Sequence, residues 1–298
     1  MKQTCLLILG MHRSGTSALA GTLNLLDVEL GSELMKGASG DNDRGFYENI
    51  HLYNINEKLL KQIDSSWDDV FFNESKLNVL DDTTELESML RKEFQHSQLF
   101  TIKDPRLTYL FPLYKKALTN MGVDIKVIIP HRNPLEVSNS LKKRNQFNQK
   151  KGLLLWAYHF LLAEKHTRAL PRVFYSFDEL IKSPQNLIKL IDKKLMLNLN
   201  LKYNSKKSLI ADFLVPDLKH HNISIDNMSE KIPKLIWNIM SLMPKLNEVE
   251  SVAKLDELRQ QLFDYQNLFY NDSILKVQEF DEQMNKKEKE FDEQMNKK

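Results

Sequence analysis

Short apolar segments alternate with helical patterns through the first 180 residues of the chain. The segments cover residues 4–9, 99–102, 125–129 and 172–175, and a polar, charged cluster directly follows each of the first three. This alternation is typical of a parallel sheet that helices cover on both faces. Ligands of such sheets bind beyond the carboxyl ends of the strands. We therefore predict an α/β fold in which the polar clusters converge on one rim of the sheet.

The length and composition of the chain are those of an ordinary globular protein. It has 298 residues, of which 42% are hydrophobic and 28% charged, and a single core usually stops growing at about 250 to 300 residues. We expect a catalytic domain over residues 1–228, a helical extension over 229–271 and a charged helical tail over 272–298. The net charge of +2 is too small for a protein that coats nucleic acid.

Cysteine and histidine usage limits the cofactors and the compartment. Cys5 is the only cysteine, which excludes an internal disulfide and cysteine-rich zinc sites. His220 and His221 have no partners at metal-ligand spacing, so we expect no metal. The apolar run over residues 5–9 is far shorter than the roughly 20 residues of a membrane span. We therefore expect no transmembrane segment and a cytoplasmic location.

A glycine-containing loop joins the first predicted strand to a helix predicted over residues 16–26. Residues 10–17 read Gly-Met-His-Arg-Ser-Gly-Thr-Ser, and glycines at such a junction let backbone N–H groups point at an anion. The spacing is that of a phosphate-binding loop, but Thr16 and Ser17 stand where a nucleotide triphosphatase has lysine followed by a hydroxyl residue. We expect Arg13 to supply the missing charge.

Two motifs resemble those of the sulfotransferases that use 3′-phosphoadenosine-5′-phosphosulfate (PAPS). Residues 13–16 (Arg-Ser-Gly-Thr), between a strand and a helix, are similar to the first signature of that family. Residues 132–134 (Arg-Asn-Pro), with Ser140 eight residues beyond the arginine, are similar to the second. The likeness covers about residues 1–220 and implies a P-loop-like fold with PAPS as co-substrate.

The resemblance also implies which residues bind the two ends of PAPS. The 5′-phosphosulfate would be held by Arg13, Ser14, Gly15, Thr16 and Ser17. The 3′-phosphate would be held by Arg132 and Ser140, for which Ser138 is an alternative. Residues 174–184 also resemble the stretch that lies near the adenine in that family, although Phe177 stands where tyrosine is expected.

Two further likenesses point to catalytic residues and to a branch of the family. Lys103 and the following Asp-Pro are similar to a turn that places a lysine beside the transferred sulfuryl group in the glycan- and tyrosine-modifying branches. Residues 45–48, which end in Glu48, are similar to the segment that supplies their glutamate base. We expect Glu48 to be the general base, and Lys103 and Arg13 to stabilise charge on the bridging oxygen.

Each catalytic candidate also has an ordinary interpretation. Glu48 could be a glutamate favoured by a helix dipole, and Lys103 could be paired with Asp104 or another loop carboxylate. The glycine-rich C-terminal loop and the usual histidine of the cytosolic small-molecule branch are not recognisable in the chain. We therefore place the chain among bacterial-type members and expect a hydroxyl acceptor that is a glycan or glycolipid.

Two other functions fit parts of the pattern. One is a P-loop small-molecule kinase in which Asp104 holds magnesium, but the lysine expected after Gly15 is missing. The other is a non-catalytic interaction protein with a vestigial nucleotide site. The presence of both arginine motifs together with Glu48 argues against it.

Two charged segments lie outside these motifs. The cations of residues 142–144 and 150–151 form either a solvated face or a contact with an acidic acceptor or the nucleotide. Residues 279–287 recur as residues 290–298, at an offset of eleven that is close to the helical period. The tail is therefore either a solvated helix or a coiled-coil segment through which the chain self-associates.

Overall fold

The computed structural model describes residues 2–37, 44–215, 231–246 and 250–267. Within these ranges one parallel sheet has the strand order β2-β1-β3-β4. The strands are β1 (Thr4–Ile8), β2 (Leu99–Lys103), β3 (Asp124–His131) and β4 (Arg172–Ser176). Each strand begins and ends within two residues of its prediction. The predicted α/β fold, with a parallel sheet flanked by helices, is confirmed.

Helices follow the strands and cover both faces of the sheet. They are α1 (Thr16–Leu25), α2 (Ile50–Gln62), α3 (Thr84–Phe94), α4 (Leu107–Asn120), α5 (Pro134–Asn145), α6 (Gln149–His166), α7 (Phe177–Lys182), α8 (Pro184–Leu195), α9 (Leu199–Phe213), α10 (Lys234–Leu242) and α11 (250–267). None of the helices in the described ranges is long and apolar enough to cross a membrane.

The alternation of side chains along β1 divides the core into two layers. Leu7 is buried in a cluster with residues of α4 and α6, whereas Leu6 and Ile8 are buried in a cluster with residues of α1 and α8. Successive side chains of a strand point to opposite faces, so a fully apolar strand must be covered on both sides. This is why the central strand β1 is apolar from Cys5 to Ile8. The strand β4, which contains Arg172 and Ser176, is buried only at alternate positions.

The C-terminal helices pack against the layer that contains α6. Ile236 and Ile239 of α10 are buried in the same cluster as α4 and α6, and so are three leucines of α11. Arg168, just beyond α6, donates to both carboxylate oxygens of Asp256 in α11, each at 2.8 Å. The predicted helical C-terminal extension is confirmed. The boundaries at residues 228 and 271 stay predictions, and residues 272–298, with the repeat, lie outside the described residues.

Candidate active site

The loop after β1 turns sharply into α1. Arg13 has a φ of +69°, and Gly15, the N-cap of α1, has a φ of +90°. A Cβ on Gly15 would lie 2.3 Å from a ring carbon of Phe177, so both the backbone conformation and the close approach require glycine. Because Gly15 has no side chain to cap the helix, the first N–H groups of α1 are suited to binding an anion.

Hydrogen bonds join the two predicted phosphate-binding motifs. Arg13 Nε donates to Ser140 Oγ at 2.7 Å, and Arg132 Nη1 donates to the carbonyl oxygen of Arg13 at 3.3 Å. Ser138, the alternative to Ser140, is buried elsewhere and donates to the carbonyl of Gln149 at 3.0 Å. The parallel neighbours β1 and β3 place both loops at the same rim, and α5 carries Ser140 back to the phosphate loop.

Arg132 is buried and fixed from several sides. Its Nε donates to Glu136 Oε2 at 2.7 Å, and its guanidinium carbon lies 4.8 Å from the centre of the Phe177 ring. Trp156 Nε1 donates to the Arg132 carbonyl at 2.9 Å. The second terminal nitrogen, Nη2, is buried and has no hydrogen-bond partner among the described residues. A buried donor without an acceptor is costly, and an anion would supply the missing acceptor.

Lys103 and Glu48 form a buried pair beside the phosphate loop. Each residue is 3% exposed, and Lys103 Nζ donates to Glu48 Oε1 at 2.5 Å. The same ammonium donates to Ser17 Oγ at 3.0 Å and to the carbonyl of Phe46 at 2.8 Å. Lys103 is therefore paired with a loop carboxylate, as its ordinary interpretation expects, and that carboxylate is Glu48 and not Asp104.

The second oxygen of the Glu48 carboxylate and the pKa of this group suit a base. Glu48 Oε2 is buried with no hydrogen-bond partner in the described part of the chain. Burial raises the pKa of Glu48 above its ordinary value, although the ammonium of Lys103 acts in the opposite direction. A partly desolvated carboxylate with a raised pKa is a stronger base than a solvated one.

The first turn of α2 and the end of β2 hold this pair in place. Asn49 caps α2 by accepting from the N–H groups of the second and third helical residues, so Glu48 lies before the cap and outside the first turn. Its direct partner is the ammonium of Lys103. Asn56 of α2 donates to Asp104 Oδ2 at 2.9 Å, which fixes the helix against the turn that follows Lys103.

Three supporting residues were not predicted from the sequence. Glu136 lies four residues after Arg132, and this i,i+4 spacing was the signal that could have found it. Asn56 belongs to residues 56–60, which also resemble the family's base-supplying segment, but its bond to Asp104 had no sequence signal. Trp156 reaches the site from α6, and no local pattern indicates it. No group of three or more histidine, cysteine, aspartate or glutamate residues could hold a metal ion within the described ranges. His220 and His221 lie outside those ranges.

Comparisons with known proteins find likenesses of fold only. No protein-family model and no curated protein matches the chain. The sulfotransferase STF9 from Mycobacterium avium has 15% identity and a TM-score of 0.40, over 75% of this chain and 70% of that chain. The sulfotransferase domain of the Synechococcus PCC 7002 olefin synthase has 14% identity and a TM-score of 0.40, over 86% and 95%. The sulfotransferase domain from the curacin biosynthetic pathway has 12% identity and a TM-score of 0.38, over 75% and 81%. At these values we base the functional argument on the residues of the site alone.

Proposed function

We propose that the chain is a PAPS-dependent sulfotransferase that moves a sulfuryl group to a hydroxyl acceptor. The observation that carries this proposal is the union of two anion-binding motifs into one site. Arg13 donates to Ser140 at 2.7 Å, and Arg132 contacts the same loop while one of its buried N–H groups lacks a partner. A nucleotide with anionic groups at both the 5′ and the 3′ position matches two such motifs.

The phosphate loop suits the 5′-phosphosulfate. Its backbone N–H groups at the start of α1 would bind the 5′-phosphate, with Arg13 as the local positive charge. The contributing loop residues are Ser14, Gly15, Thr16 and Ser17. Arg132 suits the 3′-phosphate because its planar guanidinium can donate to two oxygens, and Ser140 adds a hydroxyl from the same side.

Glu48 and Lys103 have complementary roles in the transfer. The acceptor oxygen forms a bond to sulfur while the bond between sulfur and the bridging oxygen of the 5′-phosphate breaks. Glu48 takes the hydroxyl proton, and the electron pair of the broken bond goes to the 5′-phosphate, where Lys103 and Arg13 stabilise the charge. In-line displacement of this kind depends on positioning and charge stabilisation, as phosphoryl transfer does.

Contacts around Ser17 and Asp104 disfavour the kinase alternative. Ser17 Oγ, a hydroxyl of the kind that P-loop enzymes use to bind magnesium, accepts a hydrogen bond from the ammonium of Lys103. Asp104, the candidate magnesium ligand, accepts from Asn56 at 2.9 Å and from Arg106 Nη1 at 3.0 Å. A carboxylate engaged by an arginine is poorly suited to a divalent cation, so we propose no second function.

The finer parts of the proposal come from the sequence. We propose a glycan or glycolipid acceptor, because the Lys103 and Glu48 segments resemble the glycan- and tyrosine-modifying branches. We further propose a cytoplasmic location and self-association through residues 272–298.

Incubation with labelled PAPS and a panel of carbohydrates, beside a parallel incubation with ATP and magnesium, tests the function directly. We expect labelled sulfuryl transfer from PAPS and no phosphoryl transfer from ATP. Calorimetry with the product PAP (3′-phosphoadenosine-5′-phosphate) should give micromolar-scale affinity with weak competition by ATP. Equal binding of PAP and ATP, with transfer only from ATP, would establish the kinase instead.

A further inference from the structure

An aromatic wall stands beside the proposed transfer site and has no role in the scheme above. Its two outer rings, Trp67 and Phe147, stack with 5.8 Å between centres and 28° between planes. His12 of the phosphate loop meets Trp67 edge-on, with 4.3 Å between ring centres. Trp67 and Phe147 are both partly exposed. The wall therefore begins at the phosphate loop and extends to the protein surface.

Buried donors hold the segment that carries Trp67 in one conformation. The Trp67 carbonyl lies 3.2 Å from His159 Nε2, and the Asp69 carbonyl accepts from the Tyr109 hydroxyl at 2.8 Å. The carbonyl of the next residue accepts from the side chain of Gln266 in α11. A segment whose backbone is fixed in this way loses little conformational entropy when a ligand binds to its side chains, which favours binding.

Cations from the corner between α5 and α6 flank the wall. The Arg144 guanidinium carbon lies 5.5 Å from the centre of the Trp67 ring, and Lys151 Nζ lies 4.0 Å from the centre of the Phe147 ring. Residues 142–151 hold five cationic side chains and no carboxylate, although Lys151 Nζ also donates to Asp68 Oδ2 at 2.6 Å. Three of the five are exposed, in accord with a solvated face. Arg144 and Lys151 instead lie over the aromatic rings of the wall.

The wall also lies close to the reacting groups. Arg144 is one helical turn beyond Ser140 on α5. His12 Nε2 is buried with no hydrogen-bond partner in the described ranges. Burial, together with Arg144, Arg106 and Lys103, lowers the pKa of His12 well below its ordinary value. A neutral imidazole at the inner end of the wall can form a hydrogen bond with a hydroxyl group. Lys103, the proposed charge-stabilising residue, is close enough to act on it electrostatically.

We propose that Trp67, Phe147, Arg144 and Lys151 form the acceptor subsite, and that the acceptor is a hydroxylated ring compound bearing a carboxylate or sulfate group. This inference rests on the proposed sulfotransferase function. Aromatic side chains suit the apolar face of a ring, and a few polar groups orient it. Arginine pairs with planar anions through parallel hydrogen bonds. The acceptor hydroxyl would then point inward past His12, so that Glu48, the proposed base, takes its proton.

The three tryptophans of the chain provide a test that needs no turnover. In ¹⁵N-labelled protein each indole N–H gives one NMR signal. Trp156 reports the nucleotide end because its Nε1 is bonded to the Arg132 carbonyl. Trp67 reports the wall, and Trp237 on α10 serves as a reference. The probes are PAP, followed by 4-nitrophenyl β-D-glucuronide or 4-nitrophenyl β-D-glucoside. These two sugars differ only at C6, which is a carboxylate in the first and a hydroxymethyl group in the second.

We expect PAP to shift the Trp156 signal, and the glucuronide to shift the Trp67 signal of the PAP-saturated protein. The apparent affinity for the glucuronide should exceed that for the glucoside about tenfold, the scale of one charge-assisted hydrogen bond. Arg144→Gln should remove this preference. Lys193→Gln, which removes an exposed charge in the last turn of α8, should preserve it.

Two results would overturn the acceptor inference while leaving the proposed function intact. One is an equal response of Trp67 to both sugars. The other is a preference for the glucuronide that survives in Arg144→Gln. If Arg144→Gln instead abolishes the PAP response of Trp156, Arg144 belongs to the nucleotide site and the inference is wrong. A wild-type protein in which PAP leaves Trp156 unmoved refutes the proposed function itself. Unchanged melting temperatures and Trp237 signals verify that the variants are folded.

Discussion

Replacing Arg132 with lysine separates the charge of this residue from its geometry. Arg132 Nε is bonded to Glu136 Oε2 at 2.7 Å, while Nη2 is buried without a partner among the described residues. A lysine has one compact ammonium group, and an ammonium placed against Glu136 cannot also reach the position of Nη2. Arg132→Lys should therefore keep the positive charge and lose contacts to the 3′-phosphate.

The loss of PAP affinity follows from the loss of one hydrogen bond to the 3′-phosphate. A hydrogen bond to a charged group contributes about 1.5 to 3 kcal/mol, so PAP binding should weaken roughly 10- to 150-fold. Arg132→Ala should weaken PAP binding by a similar amount but also break the pair with Glu136, which is 1% exposed. Breaking a buried pair costs about 3 to 5 kcal/mol of folding free energy. Arg132→Lys therefore tests nucleotide binding with a smaller effect on folding than Arg132→Ala.

Calorimetry with two nucleotides provides the assay. PAP carries the 3′-phosphate, and adenosine 5′-phosphosulfate lacks it. Arg132→Lys should weaken the binding of PAP and leave the binding of adenosine 5′-phosphosulfate nearly unchanged. Arg91→Lys, at an exposed position in the last turn of α3, should change neither affinity. An equal loss for both nucleotides, or an unchanged affinity for PAP, would refute the assignment of Arg132 to the 3′-phosphate.

Further predictions concern catalysis and the C-terminal region. Glu48→Gln preserves shape but removes basicity, so sulfuryl transfer should fall about 10²- to 10⁴-fold while calorimetry gives an unchanged PAP affinity; retained turnover would place the base elsewhere. Because burial raises the pKa of Glu48, kcat should decline with falling pH at a value above the ordinary glutamate pKa of about 4.3, and a decline only at or below that value contradicts the assignment. Lys103→Ala should lower kcat more than PAP affinity, and the reverse ranking in kinetics and calorimetry would make Lys103 a binding residue. Removing residues 272–298 should leave the melting temperature and PAP binding intact and reduce any self-association seen by light scattering, whereas lost PAP binding would mean that the tail packs on the core. Removing residues 250–298 should lower the melting temperature, since α11 buries three leucines at about 1.5 to 3 kcal/mol each, and an unchanged melting temperature would contradict this packing.

The strands and the phosphate loop were predictable because their signals are local. A strand buried on both faces must be apolar at nearly every position, so residues 4–9 and 125–129 could be recognised without knowledge of their neighbours. Gly15 could be recognised in the same way, because its place at a strand-to-helix junction requires a positive φ. The convergence of the polar clusters also followed from the sequence, since parallel strands end at the same rim.

The partners of the polar side chains could be known only from the tertiary structure. The motif spacing favours Ser140 and leaves Ser138 as an alternative, and the packing of α5 shows that Ser140 is the one that contacts Arg13. Lys103 could have paired with Asp104, its neighbour in sequence, but α2 brings Glu48 to it. Such pairings depend on sheet order and helix packing. These bring together side chains far apart in the sequence, and no local periodicity encodes which of two acceptable partners will be the nearer.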